Sequence, residues 1–263
     1  MTVRISLKSD KLDEESRRFA MTRLPKPAFL NSVPKCGTHL IRNIVRMFVA
    51  PEQQFKRDFI QYGNIHLHLA AFNPKDPRLS WGHLFFGDLS AVALRDVNHI
   101  VLVRDPYDWV LARTRFFLSD QFNGNLNNIK NGAVSIEDVM NIMIFGAMDK
   151  APPLKDIFNF NGVAWLGTRA YVMRYEEIVK HLKVLDSAEA EAFFRDLIVD
   201  KVGVTEWPAD WKERVLMGSD RAHSGTAREH LSYHVEVPDE LPETQKRLVD
   251  YHAPGLRKIL GYA

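Results

Sequence analysis

The sequence predicts an α/β fold in which helices cover both faces of a central parallel sheet, and three features predict it. Short apolar runs bounded by turn residues read as buried strands. Amphipathic helical patterns follow two of these runs directly, and capping pairs mark further helix starts downstream. In chain order, Ala28 to Val33 is the first strand, and the helix that follows spans Thr38 to Val49 with Leu40, Ile41, Ile44, Val45 and Phe48 along it. Leu84 to Phe86, with a lead-in from Leu79, is the second strand. His99 to Val103 is the third and runs into a helix over Asp105 to Leu118, where Trp109, Val110, Ala112, Phe116 and Phe117 are apolar. Ser135 with Asp138, and Asp186 with Glu189, have the spacing of N-terminal capping pairs and start helices at Ile136 and Ser187. Ala170 to Met173 is a further strand. Strands alternating with helices imply a parallel sheet, and such sheets place ligands at the carboxyl ends of their strands.

Composition narrows the function classes. With 46% hydrophobic and 26% charged residues over 263 positions, the chain is an ordinary globular one, neither disordered nor fibrous. The 35 Lys and Arg against 33 Asp and Glu leave a net charge of +2, too balanced to point to nucleic acid or a membrane surface as partner. Any anion site is therefore local. The one cysteine, Cys36, excludes an internal disulfide framework, and a cytoplasmic location is expected. Neither a signal peptide nor a membrane span is expected, because Met1 to Ala20 is studded with charge and no run of about 18 apolar residues occurs. Without repeats or linkers, a single domain over 1–263 is expected.

The segment Phe29-Leu-Asn-Ser-Val-Pro-Lys-Cys-Gly-Thr-His-Leu40 is a strand, a tight turn and a helix start. That is anion-binding architecture: backbone N–H groups at a helix N-terminus lack intrahelical partners and the helix dipole favours negative charge there. Lys35 adds a full charge, Thr38 a hydroxyl, and Gly37 lets the backbone approach a phosphate. The alternative is an ordinary strand-to-helix turn with a surface lysine. It is not a Walker A loop, because Lys35 precedes the glycine.

Val33-Pro-Lys-Cys-Gly-Thr-His39 resembles the 5′-phosphosulfate loop of the sulfotransferases that use 3′-phosphoadenosine 5′-phosphosulfate (PAPS), whose common form is Pro-Lys-Ser-Gly-Thr-Thr/His. The resemblance continues in order. His99-Ile-Val-Leu-Val-Arg-Asp-Pro-Tyr-Asp-Trp-Val110 is similar to the family's second signature, Val172-Met-Arg-Tyr-Glu-Glu-Ile178 to its Arg-Tyr-Glu-Asp-Leu strand end, and Leu260-Gly-Tyr262 to the chain ends of many bacterial members. It implies a P-loop-like three-layer fold and a sulfotransferase that moves a sulfuryl group from PAPS to a hydroxyl or amine of a small-molecule acceptor, without a metal. It also implies that Lys35, Cys36, Gly37, Thr38 and His39 hold the phosphosulfate, that Arg104 contacts the 3′-phosphate and that Tyr175 lies beside the adenine. A planar guanidinium at a strand's carboxyl end suits a phosphate, although an Arg104–Asp108 ion pair is the structural alternative. Leu79-Ser-Trp-Gly-His-Leu84 falls where the family carries its catalytic histidine, so His83 is the expected general base, with Lys35 neutralising the departing oxygen.

Other features are looser. His66 and His68 in Ile65-His-Leu-His-Leu69 would share one face of a strand, as a metal pair or, preferred, as a polar wall of the acceptor pocket with Trp81 and Phe85. Phe55, Phe59, Tyr62, Phe72 and Phe86 add aromatic residues on that side, and Phe122 to Gly132 has the composition of a mobile loop. The family's third signature has a blurred counterpart around Arg221, Ser224, Gly225, Thr226 and Arg228, which together suit an anion-gripping lid. Three positions depart from cytosolic members. Ala112 replaces a serine on the 3′-phosphate, which Arg113, Thr114 or Arg115 would have to offset; Trp81 replaces a lysine; Leu40 replaces an adenine-stacking tryptophan. The alternatives that remain are a P-loop nucleotide kinase and a PAP-binding protein without turnover. A homodimer is among the states the resemblance allows.

Overall fold

The structure is a computed structural model and describes residues 4–5, 10–56, 59–223 and 236–262. Among the described residues the strands are β1 (Arg4–Ile5), β2 (Ala28–Ser32), β3 (Ile60–Gln61), β4 (Leu79–His83), β5 (Asn98–Val103), β6 (Phe122–Asn123) and β7 (Tyr171–Arg174). The helices are α1 (Leu12–Ser16), α2 (Thr38–Arg46), α3 (Asp88–Ala93), α4 (Pro106–Leu118), α5 (Ile136–Phe145), α6 (Leu154–Asn161), α7 (Tyr175–Lys183), α8 (Ala188–Arg195), α9 (Trp211–Ser219), α10 (Glu243–His252) and α11 (Leu256–Ile259). The chain divides into two compact units, Ser9–Val103 with Phe160–Ser224, and Met1–Lys8 with Arg104–Asn159 and Gly225–Ala263.

The first unit is built on a five-stranded sheet of order β3-β4-β2-β5-β7 in which every neighbouring pair is parallel. β2 lies at its centre and all five of its residues are buried, as a strand covered on both faces requires. Phe29 and Leu30 are fully buried there, at about 1.5–3 kcal/mol of burial free energy each. α2 packs on α9 where Gly218 faces the backbone of Ile44 and Asn43; a Cβ on Gly218 would lie 2.5 Å from Ile44 Cα. The strand expected over Leu84 to Phe86 is confined to its lead-in, Leu79–His83, because the chain leaves the sheet after His83. The second capping pair is also shifted: the cap is the Ser187 hydroxyl, which accepts from the Ala190 amide, so the helix starts one residue later.

In the second unit, α10 packs against α5 and α4, with Trp109 buried edge-on to Phe158 at 5.3 Å. Ser135 caps α5 through the Asp138 amide as its sequence spacing requires. β1 pairs antiparallel with β6. The segment expected to be a mobile loop, Phe122 to Gly132, is instead anchored: it carries β6 and a 3-10 turn at Asn127–Ile129, and buries Phe122, Leu126 and Ile129. Lys130 Nζ ties it down by donating to the Ser119 and Phe122 carbonyls. Among the described residues no helix is long and apolar enough to cross a membrane.

Candidate active site

β2 ends at Ser32, and the turn from Val33 to Gly37 carries the chain into α2. Two residues of that turn adopt left-handed backbone: Gly37 at φ +97° and, against its steric preference, Lys35 at φ +70°. Gly37 stands at the N-cap of α2, and among the described residues no side chain caps the helix, whose first internal bond runs from the Ile41 amide to the Gly37 carbonyl. The helix therefore presents first-turn amides beside Lys35. Tyr175, at the start of α7, lies directly on Gly37: a Cβ there would come within 2.5 Å of its ring. Cys36 and Thr38 are buried and His39 is half-buried.

β4 runs parallel beside β2 and delivers His83 next to Ser32. His83 Nδ1 lies 3.0 Å from the Ser32 carbonyl and 3.2 Å from Ser32 Oγ, which is 2.5 Å from Thr38 Oγ1. A carbonyl only accepts, so Nδ1 carries the hydrogen and Nε2 keeps its lone pair. Burial pushes the His83 pKa down to about 4; the bond to the Ser32 carbonyl opposes this and the Lys35 charge adds to it. His83 is thus neutral near pH 7. Phe59 stands between two imidazoles, 5.3 Å from His83 and 5.7 Å from His39. The His39 pKa falls to about 3, mainly through burial and then through the charges of Arg42 and Lys35.

Lys35, Gly37, Thr38, His39, His83 and Tyr175 therefore meet at the carboxyl ends of β2, β4 and β7. The acceptor-side residues are less concentrated. The stretch holding His66 and His68 is not a strand but two 3-10 turns, Ile65–Leu67 and Leu69–Phe72, so the histidines do not share a strand face. His66 is exposed, whereas His68 is buried against Phe55. Trp81 is buried beneath the Arg42 guanidinium at 5.2 Å, and Phe85 contacts Phe160. Among the described residues no cluster of three His, Cys, Asp or Glu could hold a metal.

Arg104 directly follows β5, and Asp108 approaches it only to 4.0 Å. The adjacent Asp105 caps α4 through the Tyr107 amide and holds Arg257 in a two-point ion pair. Arg113 does not offset Ala112, because its guanidinium is spent on the Met143 and Pro152 carbonyls. Arg115 is turned to the Pro238 carbonyl, and Thr114 is fully buried. Arg221 is exposed on a short turn whose His223 carbonyl accepts from Asn43 of α2. Ser224, Gly225, Thr226 and Arg228 lie outside the described residues.

No family model and no curated protein matches the chain. Solved structures do. Mouse sulfotransferase SULT7A1 complexed with PAP superposes with a TM-score of 0.56 at 14% identity, over 98% of this chain and 95% of that one. This is the sulfotransferase fold. Retinol dehydratase agrees, with a TM-score of 0.51 at 14% identity for its complex with androsterone and inactive cofactor PAP, over 94% of this chain and 85% of that one. Its complex with retinol and PAP gives 0.50 at 13% identity, over 94% and 86%. On this sulfotransferase fold, sequence reasoning passed over Asn31 and Ser32 as neighbours of His83. Two adjacent polar residues ending an otherwise apolar buried strand were the available signal.

Proposed function

We propose that the chain is a PAPS-dependent sulfotransferase acting on a hydroxyl or amine of a small molecule, as one domain spanning 1–263. The observation that carries the reading is the set of contacts around His83. An imidazole held in the Nδ1–H form by Ser32, neutral, and within reach of the Lys35 charge has the properties of a general base beside an anion loop. The loop residues fit the co-substrate: Gly37 leaves its N-cap position open, the first turn of α2 is without a side-chain cap, and the Tyr175 ring lies against Gly37. PAP in the structures of similar fold supports the same ligand class. Arg104 and the Arg221 to Arg228 segment are assigned to the 3′-phosphate, and His66, His68, Trp81 and Phe85 to the acceptor side.

In this reading His83 Nε2 takes the acceptor proton as the acceptor oxygen or nitrogen bonds to sulfur. Lys35 neutralises the negative charge that stays on the phosphate oxygen when its bond to sulfur breaks. No metal is required for that balance. The test is thermal shift with PAP, and separately with ATP and magnesium, followed by PAPS consumption against a panel of phenols, alcohols and amines. PAP at about a hundred times its Kd should add about 2.7 kcal/mol, a shift of several degrees. His83→Ala should abolish transfer and keep PAP binding. Stabilisation by ATP and magnesium alone would make the chain a nucleotide kinase, and PAP binding with no turnover on any acceptor a binding protein.

A further inference from the structure

Asn31 is 1% exposed in the central strand, one residue before Ser32. A carboxamide is a poor choice there: Asn is depleted in strands, and a buried amide costs free energy unless all its groups are bonded. Both of its polar atoms go to one residue. Nδ2 donates to the Leu84 carbonyl at 3.0 Å, and Oδ1 accepts from the Leu84 amide at 2.9 Å. This closed pair adds a rung to the sheet just where β4 ends, since Asn31 opposite Gly82 is the last residue pair between β2 and β4. A second amide braces it. Asn161 Nδ2 donates to Asn31 Oδ1 at 3.0 Å and to the Leu84 carbonyl at 3.2 Å, and Trp165 Nε1 reaches that carbonyl at 3.3 Å. Asn31 and Leu84 are the chain neighbours of Ser32 and His83, the two residues joined by the Nδ1 bond. The rung therefore sets the distance across which that bond forms.

We propose that Asn31 is a positioning residue for His83, clamping Leu84 so that the imidazole keeps Nδ1 on the Ser32 carbonyl and offers Nε2 to the acceptor. This rests on the reading of His83 as the base. An apolar residue at 31 would pack more cheaply in an interior strand; local preference overridden inside a site marks a functional demand. The lever is short, so small displacements matter: a shift of about 1 Å in a reacting group is enough to cost about 10²-fold in rate.

The experiment is 15N NMR of the histidine-labelled full chain at pH 7, for the parent, Asn31→Ala, Asn31→Asp and Asn161→Ala, with PAP affinity measured by calorimetry on each. The parent should show His83 as one tautomer with hydrogen on Nδ1. Asn31→Ala frees the Leu84 amide and leaves its carbonyl to Asn161 and Trp165, and Asn31→Asp keeps the acceptor but turns an oxygen toward the Leu84 carbonyl. In both, the Nε2–H form should appear, with transfer from PAPS to a phenol probe lowered about 10²-fold while PAP affinity stays within about threefold. Asn161→Ala should do the same to a smaller extent, and decides the matter if the Asn31 variants do not fold. A variant that melts lower yet keeps the Nδ1–H tautomer and the parent rate makes Asn31 a register pin and overturns the proposal. Failure of the parent to bind PAP, with the tautomer still responding to Asn31, would instead overturn the sulfotransferase reading and leave the clamp standing.

Discussion

Lys35 pays a conformational penalty to stand where it does. A left-handed backbone costs a non-glycine residue roughly 1–2 kcal/mol, and the ammonium's charge is felt by two imidazoles, His83 and His39. Lys35→Ala keeps that strain and loses the charge; Lys35→Gly loses both. Both variants should bind PAP much more weakly, but Lys35→Gly should be the more stable by about 1 kcal/mol, measured by thermal or urea unfolding. Equal stability of the two would mean that the strain is relieved elsewhere. His83 makes a second prediction at this scale. In the free protein its titration should be centred near pH 4, below the ordinary 6.5, because burial and Lys35 both oppose the charged form. PAP brings phosphates that offset Lys35, so binding should raise that value, which an NMR titration with and without PAP reads directly.

Glycines set how closely the elements approach. A Cβ on Gly82 would lie 1.9 Å from the Ile60 carbonyl oxygen and 2.8 Å from its neighbours, all backbone atoms that cannot swing aside. Gly82→Ala should therefore part β3 from β4, destabilise by about 1–3 kcal/mol and speed amide exchange at Ile60 and Gln61. Gly218→Ala tests the packing of α2 on α9. Alanine gains about 1 kcal/mol of helix propensity over glycine, but a contact of 2.5 Å with backbone dominates, so the sign should be destabilising. The sequence carried the central strands because β2 and β5 hold apolar runs, Ala28 to Leu30 and Ile100 to Val103, whereas Ile65 to Leu69 misled. Its period-two alternation looks like a strand, but Asn64 bonds the Gln61 amide and the Phe59 carbonyl and closes a turn just before it.

Across the whole molecule, the parts of the proposed site that local motifs carry stood out in the sequence as candidates: the loop at Lys35 to His39 and His83 at the end of β4. What could not be read depends on partners far apart in the chain, such as Asn31 with Asn161, 130 positions away, or Tyr175 on Gly37. The same burial makes the fold acid-sensitive. His39, His83 and His99 have folded values of about 3, 4 and 3, below the ordinary 6.5. Between those limits the unfolded chain binds protons that the folded chain refuses, so stability is full above about pH 6.5 and falls as pH drops. His99, buried between Phe29 and Trp165, should by itself remove on the order of 1–2 kcal/mol by pH 5. Asp10 and Asp13, held low by Arg46 and its neighbours, deepen the loss below about pH 4. A melting temperature unchanged from pH 7 to pH 5 would contradict this.

Cys36 is the single thiol of the chain and is fully buried one residue from Lys35. An alkylating reagent reaches it only when the turn opens, so the rate of its modification counts loop openings with no label introduced and no other cysteine to confuse the signal. The protein thus carries its own clock for the opening of the turn between β2 and α2.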